Sequence, residues 1–560
     1  MQKLRVGDWI LTHNLETMLG NNVEYHYRSS TGEALVVDGG FLVSGVNQQA
    51  QVVWAERTFS ALSGQATAAL TTMSEPSYLH LGGIRNVEVF RRHLQDLQIA
   101  IPCDVELIAG EASPLAQPVR SDAIHFGNRF AIQPMEGWDG TAYGRPTELT
   151  FRRWRRFGAS GAKLIWGGEA VAVSHDGRAN PNQLAINKHA RIDLYKLREA
   201  LVAEHQRSIG SVANLMVGLQ LTHSGRYSHP NFKDRLEPRI LYRHPILDKR
   251  LGIPDDYPLL SDGEIRKIVE NFHTAAQVAY DSGFDFVDIK HCHGYLGHEF
   301  LSAHTRAGDY GGSFENRTRF LREVVAGVRA AAPSLIIGVR LSAFDTIPFK
   351  PDSPRSASGK PGPGVPEAFR ALLPYRWGFG VDVANPVQAD LTEPVQFLSL
   401  LGELGIQIVN LSAGSPYYNP HLQRPALYPP SDGYQPPEEP LLRVAQQMQM
   451  THTLKQKFPH LITVGSAYTY LQDFLPYVAQ AAVREGWVDC VGLGRMALAY
   501  PTLPIDVIRG QPMQRKRVCR TFSDCTTAPR AGLPSGCYPL DEHYRQSEAA
   551  VLLKDLKHPH

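Results

Sequence analysis

From about residue 122 onward, the chain alternates short apolar runs with longer stretches in which apolar residues recur at helical spacing. Eight of the runs are rich in Val, Ile and Leu and end in Gly, Ser or a polar residue, as the strands of a parallel barrel do before their top-face loops. They lie at residues 129–134, 163–169, 215–221, 285–290, 335–341, 406–411, 461–466 and 488–494. The pattern predicts an α/β fold, a (β/α)8 barrel of the TIM type over residues 122–515.

Two long insertions interrupt this rhythm. Residues 346–394 and 415–440 are rich in Pro, Gly and Ser and follow the fifth and sixth predicted strands. Loops of this length on the top face of a barrel are usually functional lids, although plain decoration stays open.

The two ends of the chain lie outside the barrel pattern. Residues 1–121 contain strand-like runs at 34–45 and 50–59 and an amphipathic helix at 87–98, which predicts a small α+β module of unknown role. A structural or oligomerising role for this module is the plainer interpretation, and a homo-oligomer stays open. Residues 516–560 form a C-terminal extension that contains cysteines.

Composition excludes several classes of protein. Of the 560 residues, 43% are hydrophobic and 20% are charged, as in a globular protein. The net charge is +2, and positive and negative residues are mixed along the chain. Neither nucleic acid nor an anionic membrane is therefore an expected partner. Runs of 18 apolar residues do not occur, and the first 20 residues do not resemble an export signal. Six cysteines in so long a chain do not make a disulfide framework. We therefore expect a cytoplasmic protein.

The stretch from Gly283 to Arg329 carries the strongest chemical signal. A buried strand runs directly into Lys290, His291, His293 and Tyr295, and a loop rich in Gly and charge follows. Groups that transfer protons and donate hydrogen bonds, placed at the carboxyl end of a barrel strand, are typical of an active site in this fold.

This order of residues resembles the fourth strand and following loop of the Old Yellow Enzyme family, the FMN-dependent NAD(P)H:flavin oxidoreductases. In that family an H-x-x-H or H-x-x-N pair precedes G-Y-L and a D-x-Y-G-G-S-x-E-N-R run. Here residues 293–296 read HGYL and residues 309–317 read DYGGSFENR. The resemblance covers about residues 124–545, with gaps at the two insertions.

The resemblance implies an FMN site at the strand ends. The segment QPMEG at 133–137 is similar to the family's A-P-M-T, GGE at 167–169 to its T-E-G turn, and QLTHSGR at 220–226 to its Q-L-x-H-x-G-R. Glycines and an arginine after strands seven and eight suit a phosphate group. The residues expected to bind FMN are Pro134, Met135, Glu136, Gly168, Gln220, Arg340, Gly414, Gly465, Ser466, Gly494 and Arg495.

The resemblance also assigns three catalytic positions. Tyr295 would protonate the substrate carbon, and His293 matches the second member of the pair that hydrogen-bonds a substrate oxygen. Lys290 would be the first member, where the family has histidine, so an anionic substrate oxygen is favoured. The alternative that Lys290 turns away to pair with Asp288 or Glu299 stays open.

The C-terminal cysteines depart from the pattern of cluster-binding relatives. Some long family members bind a [4Fe–4S] cluster through C-x2-C-x3-C-x11-C, and here Cys525 and Cys537 keep the last spacing while Cys519 is out of register. We expect no intact cluster and no metal. An iron–sulfur cluster or zinc held by these three cysteines and His543 is the minority alternative.

These features together predict an FMN-dependent ene-reductase that uses NADPH or NADH to reduce an activated alkene in a small molecule. A second nucleotide-binding unit is not expected, because the sequence contains no G-x-G-x-x-G after a strand. One alternative is an FMN-dependent dehydrogenase or demethylase acting on an amine or another donor. A third is a flavin-binding protein without ene-reductase activity.

Overall fold

The computed structural model describes residues 5–6, 9–16, 23–29, 34–38, 78–356 and 361–557. The chain divides into two compact units, Met1–Ser77 and Tyr78–His560. The strand-like run predicted at 50–59, and residues 39–45 of the other run, lie outside the described residues.

The described part of the first unit is a four-stranded antiparallel sheet. Its strands follow one another in space in the order in which they occur in the chain. They are β1 (Arg5–Val6), β2 (Trp9–Glu16), β3 (Val23–Ser29) and β4 (Ala34–Asp38).

The helix predicted at 87–98 is present, but it belongs to the second unit. Helix α1 (Val87–Asp96) begins after Asn86, whose side chain accepts a hydrogen bond from the Val89 amide. Its Phe90 is fully buried and stacks on Phe474 with ring centroids 4.3 Å apart. Residues 78–121 therefore pack into the core of the barrel unit. The domain boundary lies at 77/78 rather than at 121/122.

The second unit is built on a closed barrel of eight parallel strands. Each strand pairs in parallel with the next, and the last returns to the first. All eight predicted strands are confirmed. The barrel strands are β7 (Phe130–Ile132), β8 (Leu164–Ile165), β10 (Met216–Thr222), β11 (Phe286–Ile289), β12 (Ile336–Ser342), β15 (Ile408–Ser412), β16 (Ile462–Gly465) and β17 (Cys490–Leu493).

Five short strands accompany the barrel. They are β5 (Val119–Arg120) and β6 (His125–Phe126), which form a hairpin, β9 (Ala170–Ala172) beside β10, and β13 (Phe349–Pro351) with β14 (Gly364–Pro366) in the first insertion.

The remaining helices lie between the barrel strands along the chain or after the last of them. They are α2 (Glu148–Gly158), α3 (Ala190–Ile209), α4 (Leu247–Leu251), α5 (Asp262–Asp281), α6 (Leu296–Leu301), α7 (Phe314–Ala331), α8 (Thr392–Glu403), α9 (Pro420–Gln423), α10 (Pro440–Lys457), α11 (Leu475–Arg484), α12 (Arg495–Ala499), α13 (Leu503–Ile508), α14 (Asp524–Arg530), α15 (Glu542–Arg545) and α16 (Glu548–Lys557). None of the helices in the described ranges is both long enough and apolar enough to cross a membrane.

Successive side chains along each barrel strand point alternately outward and inward, and they form two separate hydrophobic cores. Outward residues such as Val287 and Ile289 pack against the helices, whereas inward residues such as Trp166 and Phe286 fill the barrel together with the hairpin of β5 and β6. The inward positions change character along each strand: on β11, Phe286 is followed two residues later by the fully buried Asp288. The carboxyl end of the barrel is consequently lined by polar side chains.

The packing of α1 gives a stability prediction. Replacing Phe90 with Ala removes a fully buried ring from its stack on Phe474, so we expect a loss of about 3 to 5 kcal/mol in the free energy of unfolding of the barrel. The matched control is Val89→Ala on the same helix, where the side chain is 42% exposed and the expected change is within about 0.5 kcal/mol. Urea unfolding followed by circular dichroism measures both. Equal losses in the two variants would show that α1 is not part of the barrel core.

Candidate active site

A cavity of about 240 Å3 opens at the carboxyl ends of the barrel strands. It gathers side chains from both ends of the barrel sequence and from the loops between them. Eleven of the predicted site residues line it: Pro134, Met135, Glu136, Gln220, Lys290, His293, Tyr295, Arg340, Ser466, Gly494 and Arg495.

Three of the predicted glycines do not line this cavity. Gly168 adopts a φ of 47° and lies against the Trp154 ring, so a side chain there would clash. The carbonyl groups of Gly414 and Gly465 accept hydrogen bonds from Ser342 and from Gln133. These glycines therefore support the residues behind the cavity wall.

A buried carboxylate organises the floor of the cavity. Asp288 accepts hydrogen bonds from Trp166 Nε1 at 2.6 Å, from Gln220 Nε2 at 2.5 Å and from the Arg340 backbone amide at 2.6 Å. Burial raises the pKa of Asp288, and the three donors oppose that shift. Because the amide nitrogen of Gln220 bonds to Asp288, its amide oxygen remains as an acceptor for a ligand.

A second amide on the floor is fixed in the same way. The Gln133 oxygen accepts from Asn410 Nδ2 at 2.6 Å, and its nitrogen donates to the Gly465 carbonyl at 3.3 Å and to Ser466 Oγ at 3.4 Å. Gln133 thereby connects strands β7, β15 and β16 directly beneath the cavity.

Three arginines of the cavity carry buried donors without acceptors. Arg340 Nε, Arg495 Nη1 and both Nε and Nη2 of Arg424 are covered from solvent but have no hydrogen-bond partner among the described residues. Burial, together with nearby Arg530 and Arg495, lowers the pKa of Arg424 to about 9. The backbone beside Gly494 faces open space. These residues fit a flavin mononucleotide, since a phosphate would supply the missing acceptors.

A second group of cavity residues is a cluster of Glu136, Lys290 and Tyr295. The Lys290 ammonium donates to Glu136 Oε1 at 2.5 Å and lies 3.7 Å from the centre of the Tyr295 ring. The Tyr295 hydroxyl donates to Glu136 Oε2 at 2.8 Å and shares a 2.9 Å hydrogen bond with the Tyr417 hydroxyl. Burial, then the Glu136 carboxylate and Tyr417, raise the pKa of Tyr295 well above its usual value. The phenol is therefore neutral at physiological pH.

The structure corrects the expected surroundings of Lys290. Its side chain stays in the cavity rather than turning to Asp288 or Glu299. Its counter-charge is Glu136, which was expected only as an FMN-binding residue. Asp288 and Glu299 have other partners, since Glu299 accepts from Arg226 Nε at 2.6 Å. The expectation of an anionic substrate oxygen assumed a free ammonium, and that ammonium is paired.

His293 reaches the cavity from an unusual backbone conformation. Its φ is 66°, and the conformation is held by hydrogen bonds from its amide to Ser342 Oγ and from Ser415 Oγ to its carbonyl. Its Nε2 contacts Ser412 Oγ at 3.0 Å. Burial, then the charges of Arg340 and Lys290, lower the pKa of His293 well below its usual value, so the imidazole is neutral. His291 instead packs between Phe320 and Phe397 outside the cavity.

Several cavity residues were missed from the sequence. They are Trp138 in the loop after β7, Tyr417, Gln423 and Arg424 in the second insertion, and Arg530 in the C-terminal extension. The unusual length of the second insertion could have indicated Tyr417, Gln423 and Arg424. Arg530 had none, because only the fold brings α14 over the barrel.

The minority metal site is not assembled. In residues 78–356 and 361–557 the side chains of His, Cys, Asp and Glu form no group of three suited to a metal ion. Cys519 and Cys537 pack in the main hydrophobic core, whereas Cys525 lines the cavity. His543 meets the Tyr544 ring edge-on at 5.1 Å.

Part of the barrel unit is similar to known proteins. Residues 114–354 match the model of the NADH:flavin oxidoreductase / NADH oxidase family. The chain is 31% identical over 247 residues to putative 12-oxophytodienoate reductase 2 of Oryza sativa subsp. japonica, covering 42% of this chain and 61% of that protein. It is 32% identical over 242 residues to the NADPH dehydrogenase of Bacillus subtilis (strain 168), covering 42% and 65%. The matches thus span less than two thirds of these relatives.

Solved structures share the fold. A 2-naphthoyl-CoA reductase in complex with 2-naphthoyl-CoA superposes with a TM-score of 0.56 at 17% identity, over 77% of this chain and 57% of that one. Histamine dehydrogenase from Rhizobium sp. 4-9 gives a TM-score of 0.54 at 21% identity, over 76% and 52%. Residues 114–354, which contain the first five barrel strands, are thus similar to the NADH:flavin oxidoreductase / NADH oxidase family.

Proposed function

We propose that this protein is an FMN-dependent oxidoreductase that takes hydride from NADPH or NADH and delivers it to an activated alkene. The observation that carries the proposal is that two sets of groups line one cavity. Tyr295, His293 and Lys290 can act on a substrate, and Arg340 and Arg495 carry buried donors without a partner among the described residues. Relatives named as a 12-oxophytodienoate reductase and an NADPH dehydrogenase support this reaction class.

Bound FMN would supply the hydride acceptor and donor that no side chain provides. Arg340 and the amide oxygen of Gln220 would hold the heterocycle, and Arg495 with Arg424 would hold the phosphate beside Gly494. A cation near the heterocycle stabilises the negative charge that accumulates on reduction.

Tyr295 is the proposed proton donor. Its phenol is neutral, buried and already in a hydrogen-bond chain, with Tyr417 donating to it and Glu136 accepting from it. A phenol can protonate a developing carbanion because the carbanion is far more basic. Neutral His293 would donate a hydrogen bond to the substrate oxygen, which draws electron density from the alkene.

The Glu136–Lys290 pair favours a neutral reacting group. The ammonium donates one of its three N–H groups to the carboxylate, so the pair adds no net charge beside the substrate. Lys290 can still donate to a carbonyl oxygen through a remaining N–H, but an anionic oxygen would meet the nearby carboxylate. We therefore propose a neutral activated alkene, such as an enone, in place of an anionic substrate.

The Glu136 carboxylate also favours a second candidate function. A carboxylate within the cavity suits a donor that arrives as a cation, as an amine does, and the fold is shared with a histamine dehydrogenase. Anaerobic mixing separates the possibilities. Bleaching of the flavin by NADPH or NADH supports alkene reduction, and bleaching only by an amine supports the second candidate. Bleaching by neither leaves a flavin-binding protein without these activities.

The cofactor can be tested through Arg495. We expect the purified protein to release FMN on heat denaturation, and Arg495→Ala to weaken FMN binding about ten- to a hundredfold because a charge-assisted hydrogen bond worth about 1.5 to 3 kcal/mol is lost. Fluorescence titration of the apoprotein with FMN measures the affinity. Exposed Arg509→Ala is the control and should bind FMN as the wild type does. Release of FAD would contradict the assignment.

The proton donor can be tested in separated half-reactions. Tyr295→Phe should leave reduction of the flavin by NADPH nearly unchanged and slow its reoxidation by an enone about a hundredfold or more, the usual scale of general acid catalysis. Stopped-flow absorbance resolves the two steps. The control is Tyr143→Phe, whose side chain is 84% exposed and should alter neither rate. If both half-reactions slow equally in Tyr295→Phe, the hydroxyl holds the loop and does not supply the proton.

The ion pair can be tested with a phenolate, whose charge reports on Lys290. Glu136→Gln should tighten phenolate binding about thirtyfold or more, because removing the partner of a buried ion pair changes binding by about 2 to 5 kcal/mol. Lys290→Met should weaken it. In the double variant the effect of Glu136→Gln should disappear, since the ammonium it unmasks is absent. Equal phenolate affinity in Glu136→Gln and the wild type would mean that the pair does not face the ligand.

A further inference from the structure

A second cavity of about 450 Å3 adjoins the candidate active site. We call it the outer cavity. The two cavities share the wall formed by Trp138, Pro416, Tyr417, Pro529 and Arg530. Tyr417, whose hydroxyl lies 2.9 Å from that of Tyr295, belongs to this wall, so the outer cavity begins one side chain away from the proposed proton donor.

The outer cavity combines aromatic rings with cations. Its aromatic walls are Trp138, Phe349, Tyr417 and Tyr434, and its cationic side chains are Lys233, Arg250, Lys350 and Arg530. Planar rings can stack a heterocycle, and ammonium and guanidinium groups are the usual protein partners of phosphate.

The carboxylates near the outer cavity do not balance its cations. Asp432 is the one carboxylate among the described residues of its wall. Both of its oxygens accept hydrogen bonds from Arg530 Nη1, each at 2.6 Å. Behind the wall, Glu367 pairs with Arg250 at 2.8 Å and Lys350 at 2.9 Å. Lys233 donates only to a backbone carbonyl, that of Gly532 at 3.0 Å. Four cations thus face two carboxylates.

We propose that the outer cavity binds the phosphorylated, ring-bearing tail of a ligand whose reacting end enters the active site. The proposal rests on the proposed function, because it places the tail relative to Tyr295. Both nicotinamide dinucleotides and coenzyme A thioesters have such a tail, an adenosine that carries phosphates. The neutral Glu136–Lys290 pair faces the reacting group, and the excess positive charge lies where the tail would be.

Binding of ADP to the FMN-loaded protein tests the outer cavity directly. We expect calorimetry to detect ADP binding, and the variant Lys233→Gln/Lys350→Gln to weaken it tenfold or more. The control is Lys196→Gln/Lys267→Gln, which removes the same charge from exposed positions on α3 and α5 and should bind as the wild type does. Lys233→Glu is a second variant with a single change. Absence of ADP binding, or equal affinity in all variants, would overturn the proposal.

Kinetics distinguish the two sources of the tail. If the dinucleotide supplies it, the double variant raises the KM for NADPH tenfold or more and leaves unchanged the KM for reduced nicotinamide mononucleotide, which lacks adenosine. If a thioester supplies it, the effect appears with an enoyl-CoA and not with the same enoyl group on N-acetylcysteamine. If no donor reduces the flavin, the proposed function is rejected. The ADP measurement still tests whether the outer cavity binds the tail.

Discussion

The candidate site depends on one buried carboxylate, Asp288. A charge without partners in the interior of a barrel would be strongly unfavourable, so Asp288 is tolerated only because three donors reach it. Those donors come from the segment after β8, from β10 and from β12. The same hydrogen bonds that offset burial therefore fix neighbouring strands relative to one another. They also fix Gln220 and Arg340, which we propose hold the flavin heterocycle.

The cluster of Glu136, Lys290 and Tyr295 joins two departures from the family pattern. A glutamate stands where the family's A-P-M-T segment has threonine, and a lysine stands where the pair has histidine. In the structure these two residues form one ion pair, Glu136 with Lys290. The pair also holds Tyr295 through its hydroxyl and its ring. Each substitution alone would leave a buried charge unpaired, which explains why the two departures occur together.

The sequence predicted the barrel well because its signal is local. Each strand is a short apolar run, and the polar residues that end it mark the face on which the site forms, as at Gln220 and Arg340. Contacts between distant segments left no such signal. The partner of Lys290 lies 154 residues away, and Arg530 reaches the cavity from the C-terminal extension. The predicted boundary of the first unit was wrong for the same reason. The amphipathic pattern of α1 shows that one face of the helix is buried, but it does not show which part of the protein covers that face.

His293 illustrates how such a site limits the stability of its fold. A histidine at a φ of 66° occupies a region where side chains other than glycine are disfavoured, and backbone conformations of this kind cost about 1 to 3 kcal/mol. Two serine hydroxyls hold the residue there. Selection for stability alone would place glycine at this position and lose the imidazole. The protein therefore has an imidazole in the cavity at the expense of stability, and our proposal that His293 binds the substrate oxygen predicts that directed evolution toward heat resistance would retain this residue.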